Sequence, residues 1–560
     1  MARTAGIGHQ SFEQIITKDN FYIDKTMFIK EWWEHNDVVT LITRPRRFGK
    51  TLNLDMVEYF FSVEHSDKSG LFQKLAIWQE EKYRKLQGAY PVISLSFANV
   101  KETSFPDARK RICQIIKNLY NKYDFLLKSD YLNEDEKKAY GQISPDMENY
   151  LAANSLNALS DYLMRYYGKK VIILLDEYDT PMQEAYIYGY WAEMAVFIRN
   201  LFNAAFKTTK FLERAIMTGI TRVSKESIFS DLNNLEIVTT ISEKYETSFG
   251  FTQEEVWEAL KEYGLYDERE HVKAWYDGFT FGRRTDIYNP WSIINYLGKR
   301  RFSAYWANTS SNGLVGKLIR EGSADTKMIM EDLLNGKALR TQIDEQIIFN
   351  QLGQKESAIW SLLLASGYLR VNQLTMDKKG RTIYELVLTN HEVLLMFEQI
   401  IEDWFSDFTP AYNSFVKALL LDDKKAMNLY MNRVAFATFS YFDTGKHPSA
   451  QSEPERFYHG FVLGLMVDLD DRYIITSNRE SEFGRYDVML EPRFDKDDAI
   501  LLEFKVHDPE YEDTLADTVQ EALAQIDQKK YSALLESKGI APERIRKYGF
   551  AFEGKSVLIG

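Results

Sequence analysis

The sequence predicts a multidomain α/β protein, and three stretches carry that prediction. Val38–Ile42 is an apolar run that leads through a basic turn to Gly49-Lys50-Thr51 and a helix-like segment, Leu52–Phe61. Val171–Leu175 is a second apolar run, closed by Asp176-Glu177. Near the C-terminus, a glycine-containing strand over 482–490 precedes Ala499–Val506, an apolar strand that carries Glu503 and Lys505. Short apolar runs between helical segments read as strands of a sheet buried on both faces, as parallel sheets are. The expected layout is a parallel-sheet domain first, a helical and winged-helix-like middle, and a second α/β domain last. A chain of 560 residues has room for all three.

Taken in order, the first run has the layout of a phosphate-binding loop: strand, turn, Gly-Lys-Thr, helix. Gly49 lets the backbone approach a phosphate without a Cβ clash. Lys50 supplies an ammonium for the β- and γ-phosphates and is expected to face solvent when no phosphate is present. Thr51 supplies a hydroxyl for Mg²⁺, and the helix N-terminus adds oriented N–H groups. The general pattern asks for glycine where Arg44 stands, and the loop between reads Pro45-Arg46-Arg47-Phe48. Arginines beside a phosphate site aid anion binding, so Arg46, Arg47 and Phe48 are candidate nucleotide contacts. The bland alternative is a basic turn before a surface helix.

The second run weighs against that alternative. Carboxylates at the C-terminal edge of a parallel strand lie where open α/β sheets bind ligands. Asp176 is expected to hold Mg²⁺ together with Thr51, and Glu177 to polarise the attacking water. Both stretches together predict an ATP·Mg²⁺ site. A further strand over 215–219 brings Thr218 to the same edge, as a candidate γ-phosphate sensor. Arg222 follows as a candidate charge sensor; a strand end with a solvated arginine reads equally well.

Other segments are organisational. Phe21–Thr26 flanks a base or simply enters the first helix. Tyr90–Phe97 reads as a strand, and 105–167 has helical spacing throughout. Thr252 with Glu255 three residues on is a capping box, and the first domain boundary is placed there, at residue 250. The middle divides into 251–345 and 346–440. Its aromatic stretches around Trp275–Phe279 and Tyr288–Ser292 read as packing anchors. Trp360–Leu364, Ser366–Val371 and Thr382–Leu388 read as helix, strand, strand, a winged-helix pattern with Met376–Arg381 as the wing. A net charge of −13 excludes a generally basic nucleic-acid binder and confines any such contact to local patches. The single Cys113 excludes a disulfide framework and a multi-cysteine zinc site, and fits a reducing, cytoplasmic setting. No stretch has membrane-spanning length, and the N-terminus shows no signal peptide.

The last segment, 441–560, carries a second constellation. Glu455–Met466 reads as an apolar-faced helix. Glu503 and Lys505 are two apart, hence on one face of their strand, and Asp487 sits near the end of the strand before it. Paired as a hairpin, the two strands gather two carboxylates and a lysine. That set suits metal-dependent phosphodiester hydrolysis: Asp487 and Glu503 hold Mg²⁺, and Lys505 orients water or steadies the transition-state charge. The helix expected over 515–536 places Gln525 and Lys529 on one face, within reach of that cleft.

The chain resembles the bacterial family that pairs an AAA-ATPase-like domain with a C-terminal PD-(D/E)XK nuclease domain. The resemblance runs through YIDKTMFI, ITRPRRFGKT, LLDEYDTP, TGITRVS, WYDGF, YNPWS, FYHGF, GRYDVML and LLEFK, in order along nearly the whole chain. The family's own loop also reads RPRRFGK[ST]. The resemblance implies a P-loop NTPase module and a restriction-endonuclease-like fold, with Asp487, Glu503 and Lys505 as the nuclease core. Glu455 matches the place of an extra acidic metal ligand. The expected function is ATP-dependent cutting of nucleic acid, DNA ahead of RNA, in defence or mobile-element biology, with a homo-oligomer allowed. A nucleotide-gated switch whose last domain binds without cutting is the second reading. A small-molecule kinase is the third, and it leaves the C-terminal set without a role.

Overall fold

The computed structural model describes residues 2–207, 210–222, 228–229, 232–307, 315–316, 318–319, 324–334, 336–343, 356–406, 409–438, 472–477, 480–481, 484–485, 487–509, 511–529, 531–553 and 556–560, with Val462, Met466 and Leu469. The chain forms two compact units. One holds Met1–Leu318 and Gly336–Met396; the other holds Ile319–Asn335 and Phe397–Gly560. Among the described residues no helix is long and apolar enough to cross a membrane.

The first unit is built on a five-stranded sheet: β1 Val39–Thr43, β2 Val92–Ser96, β3 Val171–Asp176, β4 Leu212–Gly219 and β5 Leu235–Val238. Their order is β2-β3-β4-β1-β5, and every pairing is parallel. All of β1 and β3 is buried, as a sheet covered on both faces requires. Ile173, Leu175, Ala215 and Met217 share a core with helices Phe105–Lys122, Asn149–Tyr167 and Trp191–Phe206. Helix Lys50–Phe61 lies against β2, β3 and β4. In this order β4 separates β1 from β3 and is bonded to both, so the C-terminal ends of all three strands lie side by side.

Two small sheets complete this unit. β6 Phe251–Thr252, β7 Phe279–Phe281 and β8 Arg284–Tyr288 form an antiparallel sheet in the order β6-β8-β7. Thr252 caps helix Gln253–Glu262 with both halves of the expected capping box. β9 Leu339–Thr341 pairs with a hairpin of β10 Leu369–Met376 and β11 Thr382–Leu388, which follows helix Glu356–Ala365. Between these sheets Gly278 has φ +124°, and a Cβ there would stand 2.1 Å from the Thr389 carbonyl oxygen. Only glycine fits, which explains the glycine after Trp275-Tyr276-Asp277.

The second unit contains the two-stranded β13 Glu480–Ser481 and β14 Gly484–Arg485. Its main sheet consists of β12 Tyr473–Ser477, β15 Val488–Pro492, β16 Ala499–Val506, β17 Ile545–Glu553 and β18 Ser556–Ile559, in that order. β16 and β17 are parallel, and the other pairs antiparallel. Ile500, Leu502 and Phe504 face one core. Ala499 and Leu501 face the other, with Ile526, Tyr531 and Leu535. The helix expected over 515–536 is two, Leu515–Gln528 and Ser532–Ser537; the break lets Tyr531 turn inward, where it is 2% exposed. Of the helix expected over 455–466, only Val462 and Met466 are among the described residues.

Gly278→Ala should destabilise the protein by about 3 kcal/mol, as overpacking against backbone does, and lower its thermal midpoint. Gly141→Ala, in a helix with nothing within 4 Å of its Cβ position, should not. Equal melting of the two variants would show that the contact at Thr389 yields.

Candidate nucleotide and nuclease sites

The parallel order brings three separated residues to one point. Asp176, the last residue of β3, is 6% exposed. The Thr51 hydroxyl donates to its Oδ2 at 2.6 Å and the Thr218 hydroxyl to its Oδ1 at 2.5 Å. Burial raises the Asp176 carboxyl above its usual range, and the two threonine bonds pull it back. A carboxylate with an adjacent hydroxyl at a helix N-terminus is a donor set that fits Mg²⁺, which takes few protein oxygens and keeps water.

Gly49 is the N-cap of helix Lys50–Phe61 at φ +82°, a conformation that favours glycine. Lys50 does not face solvent as expected. It is 5% exposed, and its Nζ donates to the Arg44 and Pro45 carbonyls at 2.9 and 2.8 Å. The loop closes around its own ammonium. Burial lowers the Lys50 pKa, while Glu177, Asp176 and Asp179 oppose the shift. Glu177 is half-buried with φ +50°, a strained backbone for a residue with a side chain, and its Oε2 accepts from Thr180 Oγ1 at 3.1 Å.

The arginines of the loop divide in role. Arg44 is fully buried, and donates to the carbonyls of Thr43, Thr239 and Lys244 at 2.9, 2.7 and 3.2 Å. Its guanidinium lies 4.6 Å over Phe281, and burial lowers its pKa to about 9. Its charge serves backbone carbonyls, so the expectation that the arginines of the loop aid anion binding does not extend to Arg44. Arg47 is exposed at φ +64°, with its guanidinium 4.3 Å over Trp291. The Phe48 ring is buried against Phe279 and Phe281, so this side chain is a packing anchor. Arg46 and Arg222 are half-buried.

One contributor was not singled out from sequence. Asp179 accepts from the Ile220 and Thr221 amides at 3.0 and 2.8 Å, from Thr221 Oγ1 at 2.8 Å and from Gln183 Nε2 at 2.9 Å. It thereby ties the ends of β3 and β4. A second carboxylate after Asp176-Glu177 was the visible signal. Lys25 is engaged elsewhere: its Nζ pairs with Glu255 at 2.7 Å and donates to the Thr247 carbonyl at 2.8 Å.

In the second unit, Val488 pairs with Leu502, so the register places Asp487 opposite Glu503. Opposite residues of an antiparallel pair share a face. Asp487 interrupts the expected strand: it lies between β14 and β15, and its Oδ2 accepts from the Phe504 amide at 2.8 Å. Glu503 is 2% exposed and accepts from Gln525 Nε2. Lys505 pairs with Glu521 at 3.0 Å. The Tyr531 hydroxyl is pushed up to about 12 by burial first and then by the charges of Glu503 and Asp487. Asp487 thus bonds the residue after Glu503 on β16, and Glu503 is bonded by Gln525 of helix Leu515–Gln528. Among the described residues no cluster of three or more metal-ligating side chains occurs; Glu455 is outside them. Two carboxylates on one face still suit a hard divalent cation that retains water.

Residues 6–229 match the family model for predicted AAA-ATPase. Residues 453–560 match that of the PD-(D/E)XK nuclease superfamily. An uncharacterized protein in the vnfD 5′ region of Azotobacter chroococcum mcd 1 is 26% identical over 370 residues, which are 66% of this chain and 64% of that relative. The match thus spans less than two thirds of the relative's length. The chain thus joins an N-terminal segment that matches the predicted AAA-ATPase model to a C-terminal segment that matches the PD-(D/E)XK nuclease superfamily model.

Proposed function

We propose that the chain binds and hydrolyses ATP in its first unit and cuts nucleic-acid phosphodiester bonds in its second. The observation that carries the first half is the Asp176 carboxylate held between Thr51 and Thr218. Lys50, fixed by two carbonyls, supplies positive charge for the phosphates, and the first turn of its helix adds N–H groups aimed the same way. Glu177, fixed by Thr180 in a strained conformation, orients the attacking water. Thr51 and Asp176 would hold Mg²⁺, which supplies neutralising charge for the phosphate oxygens. Thr218 acts through Asp176, to which its hydroxyl is already committed.

In the second unit, Asp487 and Glu503 would hold a divalent cation that polarises the scissile phosphate. Gln525 fixes the Glu503 carboxylate. Lys505 supplies charge near the phosphate once it leaves Glu521. The Lys505–Glu521 pair also fits the second reading, a switch whose last domain binds nucleic acid without cutting. A role in defence or mobile-element biology belongs to the same proposal, with DNA ahead of RNA as substrate.

Asp176→Asn should weaken ATP binding in Mg²⁺ but not in EDTA, and should leave the ligand-free protein at least as stable, because a buried neutral amide costs less than a buried charge. Glu177→Gln should bind ATP and lose about 10²-fold in turnover. Wild-type turnover in that variant would remove Glu177 from the role. Asp487→Ala and Glu503→Ala should abolish both Mn²⁺ binding to the second unit and cleavage across a panel of DNA and RNA. Lys505→Ala should abolish cleavage alone, and ATPase activity should survive all three. If purified wild type binds nucleic acid but never cuts it with Mg²⁺ or Mn²⁺, with or without ATP, the switch reading replaces the nuclease one.

A further inference from the structure

One carbonyl of the phosphate loop is gripped from outside by residues more than two hundred positions away. The Arg46 oxygen accepts from Asn289 Nδ2 at 3.3 Å and from Trp306 Nε1 at 3.0 Å. Both donors are buried, and neither is free to turn. Asn289 caps helix Pro290–Lys299: its Oδ1 accepts from the Trp291 and Ser292 amides at 2.8 and 3.3 Å. That fixes which end of the amide is oxygen, so the NH₂ must face Arg46. Trp306 is fixed by Glu392, whose Oε1 accepts from the Trp306 amide at 2.5 Å. The same carboxylate accepts from Ser292 Oγ, at 2.8 Å on Oε2. Glu392 is 0% exposed, and burial pushes its carboxyl up to about 7 while these donors hold it back. One buried carboxylate therefore sets the positions of both groups that hold the Arg46 carbonyl.

Peptide geometry carries this grip to the next residue. The chain has no cis peptide among the described residues, and in a trans peptide the next N–H points opposite the carbonyl. With the Arg46 oxygen turned toward Asn289 and Trp306, the Arg47 N–H points away from them. Arg47 holds a left-handed φ of +64°, an arrangement kept only where the surroundings enforce it, and its guanidinium stacks on Trp291 of the same helix.

We infer that Glu392 is a positioning residue of the nucleotide site, which acts through Ser292, Asn289 and Trp306 to aim the Arg47 N–H at a bound phosphate. This rests on the reading of the first unit as a nucleotide site. It gives the aromatic stretches around Tyr288–Ser292 a task that packing alone does not.

The test measures ATP·Mg²⁺ affinity by calorimetry at pH 8, where Glu392 is ionised, alongside ligand-free melting temperature. Trp306→Phe removes one donor and keeps a ring; losing one hydrogen bond should weaken ATP binding about fivefold, with the melting temperature nearly unchanged. Glu392→Gln places a donor where two donors converge and should weaken ATP binding at least as much. The double variant should lose no more than Glu392→Gln, since both act through one peptide. Wild-type ATP affinity in Trp306→Phe overturns the inference, whether or not Glu392→Gln folds. Loss of melting temperature with affinity kept overturns it too, by leaving only a packing role. Lys50→Ala serves as the reference: if it binds ATP as wild type does, the nucleotide reading itself has failed.

Discussion

The first unit depends on a carboxylate held where water barely reaches it. Burying Asp176 costs several kcal/mol unless its oxygens are bonded. Two threonine hydroxyls meet that need, one from the helix after β1 and one from β4. The sheet order meets that requirement. Thr218 sits beside Asp176 because β4 is bonded to β3, and Thr51 follows β1, which is bonded to the other side of β4. A hydroxyl pair on a carboxylate satisfies it without neutralising it, so the negative charge stays available to a cation. Lys50, Glu177 and Asp179 add charges of both signs within the same small volume. Such a cluster is held together by backbone contacts, as in the amides that Asp179 collects from the end of β4.

Much of this was legible in the sequence because it is local. β1 and β3 are unbroken apolar runs, and Gly49-Lys50-Thr51 and Asp176-Glu177 stand where each run ends. The capping box at Thr252 and the hairpin of β10 and β11 are local too. What was not legible is long-range. Nothing in Arg44 itself says that its guanidinium joins Thr239 and Lys244 instead of an anion. Asn289, Trp306 and Glu392 meet the loop only through tertiary folding. β5 is short and half-buried, so its pattern is weak. β17 and β18 bring Tyr548, Phe550, Phe552, Val557 and Ile559 to the core of the second unit and were not marked as strands, although Ile545–Glu553 is a long strand rich in aromatics.

The second unit shows a comparable economy. β16 is buried on both faces, so its odd positions would suit apolar residues. Glu503 takes such a position instead and is bonded by Gln525 from the covering helix. A core strand that gives up an apolar site to a carboxylate sacrifices stability, which is the usual mark of a site kept for chemistry. Asp487 breaks its strand to bond the Phe504 amide, so backbone helps to fix its carboxylate. Lys505, paired to Glu521 on the helix surface, is the part of the set held least firmly.

The claim that Thr51 and Asp176 form one cation site for a nucleotide is tested most directly with Mn²⁺ as a spin probe in the presence of ATP. Mn²⁺ bound to the wild-type protein should show phosphorus couplings from the nucleotide, and Asp176→Asn should lose them. Mn²⁺ bound without phosphorus coupling, or coupling unchanged in Asp176→Asn, would contradict the claim.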